Sequence, residues 1–231
     1  MIREKIESFK KYFKGRKIEV LVAIFLGIAT LLVAWAGWIG ALHDGNQAGN
    51  YTKSNNLAAE GNAEYNVAAQ VYIADLFSWN TINGLRIDAD AARARGDYEE
   101  AAVIENKIEK IKKDSCSPML IEAMNKSDTS PFEDEEYAKQ YFTEAQKSLN
   151  ASREAMDEGE IDNQRSDSYQ LASVLYSLVL FLLGIIGVLR DYKTRKMLLI
   201  FSVCILVVAV IYMLTIPMPT DFDFTSFFNN K

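Results

Sequence analysis

Three stretches of the chain contain no Asp, Glu, Lys, Arg or His: Val20 to Leu42 (23 residues), Leu171 to Leu189 (19 residues) and Met197 to Ile216 (20 residues). At about 1.5 Å of rise per residue, a helix over any of them covers the roughly 30 Å hydrocarbon core of a bilayer. The pattern predicts transmembrane helices at 20–42, 171–189 and 197–216. A basic leader and Ala34-Trp35-Ala36 also give the first stretch the outline of a secretory signal. Its apolar run is longer than a typical signal core, so it reads as an uncleaved anchor.

Residues 43–170 between the first two spans read as helical. From Ala41 to Asn80 there is no proline, and short or amide side chains recur every seven residues. One row is Ala41, Ala48, Asn55, Asn62, Ala69 and Leu76; the other is Gly45, Thr52, Ala59, Asn66, Ile73 and Asn80. A second arm opens at Ser130-Pro131, with Glu133 to Glu136 favouring a helix start. It carries Ala138, Ala145, Ser152, Gly159 and Ser166 in one heptad row and Phe142, Leu149, Met156 and Asn163 in another. Arms 43–84 and 130–170 are of similar length, as an antiparallel helical hairpin stalk requires, and small residues let its backbones approach closely. Residues 85–129 read as a small cap, broken at Arg95-Gly96-Asp97, with Ala91, Ala92, Ala101, Ala102, Ile104 and Ile108 on its apolar side. The expected fold class is therefore all-α: three transmembrane helices, a long hairpin stalk and a helical cap.

Charge orients this architecture. Residues 1–19 carry seven Lys plus Arg against three Glu, a net of +4, and the loop 190–196 carries four against one, a net of +3. Residues 43–170 carry 13 Lys plus Arg against 25 Asp plus Glu, a net of −12. Basic segments stay on the cytoplasmic side, so 1–19 and 190–196 are expected inside, and 43–170 with the tail 217–231 outside. The overall −6 is the sum of opposite regions, and an acidic exterior argues against a nucleic-acid partner. Ile2, Ile6, Phe9, Tyr12 and Phe13 sit at helical spacing among the basic residues, so 1–19 is either a segment lying on an anionic leaflet or a solvated anchor extension. Phe222, Phe224, Phe227 and Phe228 in the tail fit the outer membrane interface or the base of the stalk. Cys204 falls within the third span and Cys116 in the outer region, so they cannot pair with each other. Cys116 is then a buried thiol or a bridge between subunits.

Little in the sequence carries chemistry. His43 is the single histidine, and beside Asp44 it reads as an interfacial polar residue where a helix leaves the membrane. There is no Gly-rich phosphate loop, Cys-x-x-Cys, Gly-x-Ser-x-Gly or His-Glu-x-x-His motif, so no enzyme activity, metal or cofactor is expected. Spans without charged residues argue against a coupled transporter. Asn50-Tyr51-Thr52, Asn125-Lys126-Ser127 and Asn150-Ala151-Ser152 match the N-glycosylation acceptor pattern, a weak signal in an asparagine-rich region. The candidate site is the polar cluster where both arms meet the membrane: Asn46, Gln47 and Asn50 on the first, and Asn163, Gln164, Ser166, Asp167 and Tyr169 on the second. It reads first as an interhelical hydrogen-bond network and second as an ion or solute vestibule.

Two segments carry a family resemblance. Ala34-Trp35-Ala36-Gly37-Trp38 is followed by Gly45-Asn46-Gln47-Ala48, and Asn163-Gln164-Arg165-Ser166-Asp167-Ser168-Tyr169 runs into the second span. Together with Arg95-Gly96-Asp97 and Ser130-Pro131-Phe132, they resemble a family of uncharacterised prokaryotic multi-pass membrane proteins over most of residues 34–187. The chain departs from that pattern at His43, where the family often has tryptophan. The resemblance implies the architecture and adds no chemistry. Ala23/Gly27, Ala36/Gly40 and Gly184/Gly187 permit close helix approach in the spans. The functional expectation is a structural or interaction subunit, embedded in the bilayer with copies of itself or other membrane subunits. The alternative is a pore formed only on oligomerisation.

Overall fold

The computed structural model describes residues 2–126 and 129–219, with side chains described from Lys17 onward. The basic residues up to Arg16, the tail phenylalanines and the Lys126–Ser130 turn thus lie wholly or partly outside the described residues. Among the described residues the chain is all-helical: α1 (Ile2–Ala94), α2 (Tyr98–Ser115), α3 (Pro118–Lys126), a 3-10 turn (Pro131–Glu133), α4 (Glu135–Gln140), α5 (Thr143–Val188) and α6 (Tyr192–Leu214). α1, α5 and α6 are each long and apolar enough to cross a membrane.

α1 has no proline to stop it and runs through Gly84, ten residues beyond the expected end of the first arm at 84. An interior glycine costs only about 1 kcal/mol relative to alanine, too little to end a helix held by its neighbours. The break falls at Arg95-Gly96-Asp97, where Gly96 takes φ +83°, a left-handed conformation that favours glycine. Asp97 then caps α2 by accepting from the Glu100 N–H at 3.0 Å. The second arm differs from one helix over 130–170. Ser130-Pro131 opens the 3-10 turn, α4 ends at Gln140, and the continuous helix begins at Thr143. The 190–196 loop is also shorter than its charge suggested: Asp191 caps α6 from Tyr192, accepting from the Thr194 N–H at 2.8 Å and hydroxyl at 2.7 Å. Those two bonds hold the Asp191 carboxyl below the usual carboxylate range.

The residues divide into two compact units, each drawing on α1 and α5: residues 1–51 with 156–231, and residues 52–155. In the first unit α5 buries Tyr169, Ala172, Tyr176, Val179, Leu183 and Ile186, alternating steps of three and four, against Ala29, Ala36 and Ile39 of α1 and Leu206 and Ala209 of α6. The buried positions form narrow stripes; Leu31, Val174, Phe181, Val208 and Ile211 are exposed, as lipid-facing positions would be. Tyr176 satisfies its hydroxyl inside the bundle by donating to the Ala209 carbonyl at 3.2 Å. Ala36 is fully buried and Gly40 faces Tyr169, whereas Gly27, Gly184 and Gly187 border open space.

The second unit packs Trp79 and Ile82 of α1 against Ile108 of α2 and Leu120 and Met124 of α3. Ala92, Ala101 and Ile108 are buried, but Ala91 and Ala102 are exposed. Nearer α5, Ser152 donates to the Ser54 carbonyl at 2.8 Å, Ser148 to Glu64 at 2.8 Å, and Tyr65 packs on Phe142 with ring centroids 4.8 Å apart. Higher numbers on α1 thus meet lower numbers on α5. Gly61 lies on this seam, where an added Cβ would sit 2.8 Å from Leu149 Cγ and 3.1 Å from the Ala145 carbonyl. Gly61→Ala is therefore expected to destabilise by about 1 kcal/mol, overpacking outweighing the gain in helix propensity. Gly84→Ala, with nothing within 4 Å of its Cβ, should stabilise by about 0.5–1 kcal/mol. Thermal unfolding of both variants in detergent checks the pair; two stabilising shifts would mean that Gly61 is not a contact glycine.

Candidate functional site

The residues around 40–50 of α1 and 158–170 of α5 converge within the first unit. Its centre is His43, with no exposed surface at all. His43 Nδ1 lies 2.8 Å from Asp162 Oδ1, and Nε2 lies 3.2 Å from the carbonyl oxygen of Pro217, just past α6. Its ring stacks on Tyr169, centroids 5.8 Å apart and planes inclined by 24°. A carbonyl only accepts, so Nε2 carries a proton in this geometry. The Nδ1–Asp162 contact needs one more, making the pair either imidazolium and carboxylate or imidazole and carboxylic acid. Both arrangements leave the pair with no net charge, which is the form in which it can be buried.

Asp162 has further neighbours: Asn50 Nδ2 at 3.5 Å from Oδ2 and Arg165 at 3.9 Å from Oδ1. Gln47 donates to Asn163 at 2.9 Å. Tyr169 donates its hydroxyl to the Ile216 carbonyl at 3.3 Å, and buried Ser166 accepts from Gln170 at 3.3 Å. Of the residues singled out from the sequence, Gln47 meets Asn163, Asn50 reaches Asp162, and Ser166 and Tyr169 are buried beside Gly40. Asn46 lines a neighbouring cleft, while Gln164 and Asp167 are exposed. The sequence places His43 at the interface instead of in this cluster and gives no sign that Asp162 joins it. The signal available was a lone histidine seven residues before Asn50 and, on α5, an aspartate beside Asn163; nothing in the sequence joins two positions 119 residues apart.

The cleft beside this cluster has a volume of about 500 Å3 and is bordered by Gly45, Asn46, Gly49 and Asn50 on α1 and by Glu158, Asp162 and Arg165 on α5. No group of three or more His, Cys, Asp or Glu among the described residues is arranged to hold a metal ion.

A second polar centre lies in the other unit. Asp75, 1% exposed, accepts from the Ser117 N–H at 2.8 Å and from the Tyr141 hydroxyl at 2.8 Å. Tyr141 in turn lies 2.9 Å from the Tyr137 hydroxyl, and the rings of Tyr72, Phe132, Tyr137 and Tyr141 meet edge to face. One carboxylate in α1 thereby fixes the start of α3 and the end of α4. Burial, reinforced by the nearby Asp75 charge, pushes the free thiol of Cys116 up from its ordinary value. In both centres the buried polar side chains are answered by another side chain or by backbone: His43 by Asp162 and Pro217, Ser166 by Gln170, and Asp75 by Ser117 and Tyr141. No protein-family model matches this chain, and no curated protein or solved structure matches it.

Proposed function

We propose that this chain is a non-enzymatic integral membrane protein whose α1 and α5, beyond their apolar spans, pair as an antiparallel helical hairpin stalk outside the cytoplasm. It acts as a structural or interaction subunit of a homo-oligomer or a larger membrane complex. The observation that carries this reading is the pairwise use of polar groups along α1 and α5: His43 with Asp162, Gln47 with Asn163, Ser54 with Ser152. Groups that answer one another fix register and separation between helices and leave little to work on a substrate. The resemblance to multi-pass membrane proteins carried by residues 34–48 and 163–169 supports the same architecture.

Orientation rests on charge: residues 1–19 and 190–196 face the cytoplasm, while 43–170 and the tail lie outside. In a variant with Cys116 and Cys204 replaced by serine, single cysteines at exposed Glu99 or Glu154 are expected to react with a membrane-impermeant maleimide on intact cells. A cysteine at Thr194 is expected to react only after permeabilisation. Labelling of Thr194→Cys in intact cells would reverse the orientation.

The cleft bordered by Gly45, Gly49, Asp162 and Arg165 favours a second reading, a pore completed by neighbouring copies. A reproducible ion current from purified protein in planar bilayers would displace the structural reading; an electrically silent oligomer would support it.

A further inference from the structure

In the first unit α1 carries an apolar hollow and a polar one in line with each other. Leu31, Trp35 and Trp38 border an apolar groove within the first span, and Gly45 and Gly49 form one wall of the cleft beside His43 and Asp162. Positions 31, 35, 38, 42, 45 and 49 follow alternating steps of four and three, so they lie along one side of the helix. The groove therefore leads towards the cleft, which begins seven residues after Trp38, about 10 Å further along the axis. Trp35 and Trp38, half-buried with ring centroids 5.4 Å apart, stand near the end of the apolar run, as interfacial aromatics do. Nothing lies within 4 Å of where a Cβ of Gly45 or Gly49 would sit, so the backbone is open to a ligand there.

Charge is ordered along the cleft. On α5, Arg165 borders its end nearer the second apolar span, and the exposed Glu158 stands seven residues before it on the same side of the helix, further from that span. Asp162 between them is engaged by His43 at 2.8 Å and reached by Arg165 only at 3.9 Å, too long for a hydrogen bond, so the guanidinium keeps donors for a ligand. We infer that the cleft binds the headgroup of a phosphoethanolamine lipid, with its phosphate on Arg165, its ammonium towards Glu158 and an acyl chain along the groove at Leu31, Trp35 and Trp38. The inference rests on the proposed reading of the chain as an integral membrane protein. Such a lipid carries its parts in the order in which the site presents their partners: apolar chain, phosphate, then ammonium at the outer end. The planar fork of arginine suits a phosphate. Asn46 and Asn50, half-buried at the same cleft, offer amide oxygens that accept from a primary ammonium. A choline headgroup has no N–H to donate and is held by aromatic rings, of which none borders the cleft. An anionic headgroup would set its charge against Glu158 and against residues 43–170, which carry −12.

The test uses the full chain, stripped of lipid in detergent and titrated with phosphatidylethanolamine, phosphatidylcholine or phosphatidylglycerol of identical acyl chains, bound lipid being counted by native mass spectrometry. Phosphatidylethanolamine is expected to bind at least about tenfold more tightly than the other two, the difference that one hydrogen bond to a charged group makes. Glu158→Gln should erase the preference over phosphatidylcholine, and Arg165→Gln should weaken all three lipids. Glu160→Gln, exposed on the opposite side of α5, should alter none of these affinities. Gly45→Leu combined with Gly49→Leu fills the cleft from a backbone with open space beside it and should abolish binding with unchanged helical circular dichroism. Equal affinity for the three lipids, or a preference that survives Glu158→Gln, overturns the site. Soluble phosphoethanolamine binding as tightly as the lipid also overturns it, since the groove would then contribute nothing. Protein washed from membranes by alkaline carbonate overturns the membrane reading as well; protein that stays embedded and shows no headgroup preference overturns this inference alone.

Discussion

His43→Ala is expected to lower the unfolding free energy by about 3 kcal/mol, because removing one partner of a buried pair leaves Asp162 only its longer contacts to Asn50 and Arg165. Asp162 would lose its 2.8 Å contact and the Pro217 carbonyl its donor. Removing both polar partners is different. His43→Leu combined with Asp162→Leu leaves no stranded charge, and apolar replacement of a buried pair is often close to neutral. The double variant should therefore be more stable than His43→Ala. Asp162→Asn keeps an acceptor for the imidazole and should fall between parent and His43→Ala. Unfolding midpoints of the four proteins in detergent give this order directly. An unchanged midpoint for His43→Ala would mean that the histidine does not hold the three segments together.

Asp75→Ala is expected to cost about 3 kcal/mol, since it strands the Ser117 N–H and leaves the Tyr141 hydroxyl with Tyr137 alone, each having been bonded to the carboxylate at 2.8 Å. Asp75→Asn, which can still accept, should cost less. The same centre sets a pH dependence. Burial, then the Tyr137 hydrogen bond and the Asp75 carboxylate, push the Tyr141 phenol well above its ordinary value of 10. Tyr137 and Cys116 are raised as well, each mainly by burial. A group whose pKa is higher folded than unfolded binds its proton more tightly in the folded state. Its contribution is complete below the unfolded pKa and is lost as pH rises towards the folded one. Stability should thus be insensitive to these groups at neutral pH and decline above about pH 9–10, where unfolded thiols and phenols ionise. Tyr141→Phe should be less stable than the parent at pH 7 and lose less on going to pH 11. Parallel declines for the two proteins would show that Tyr141 does not contribute to the alkaline loss.

The elements whose limits are set by local chemistry were legible in the sequence. Apolar runs fix where three helices can cross a bilayer, because no charged group can be left in hydrocarbon. Gly96 stops α1 because a left-handed residue is needed there. On α5 the row Ala145, Ser152, Gly159 and Ser166 is buried throughout, as its small side chains implied. The fourfold acidic start at Glu133 misled, because Asp134 and the 3-10 turn take up the first turn and α4 ends before α5 begins.

What only the tertiary structure decided is which face of α1 meets α5. The two seven-residue rows read from the sequence are exposed at nearly every position, while Ser54, Gly61, Asp75, Ile82 and Ala89 are buried instead. Short and amide side chains occur all around α1, so the heptad period is satisfied in more than one phase, and only the partner helix selects among them. Met156, placed on the α5 seam by the same reasoning, is 47% exposed, and Ala155 and Asp162 occupy the second row. His43 shows the limit most sharply. A histidine beside an aspartate at a helix exit is indistinguishable locally from a solvated one; its burial depends on Asp162, Tyr169 and Pro217, brought from 119 to 174 residues away by the packing of three helices.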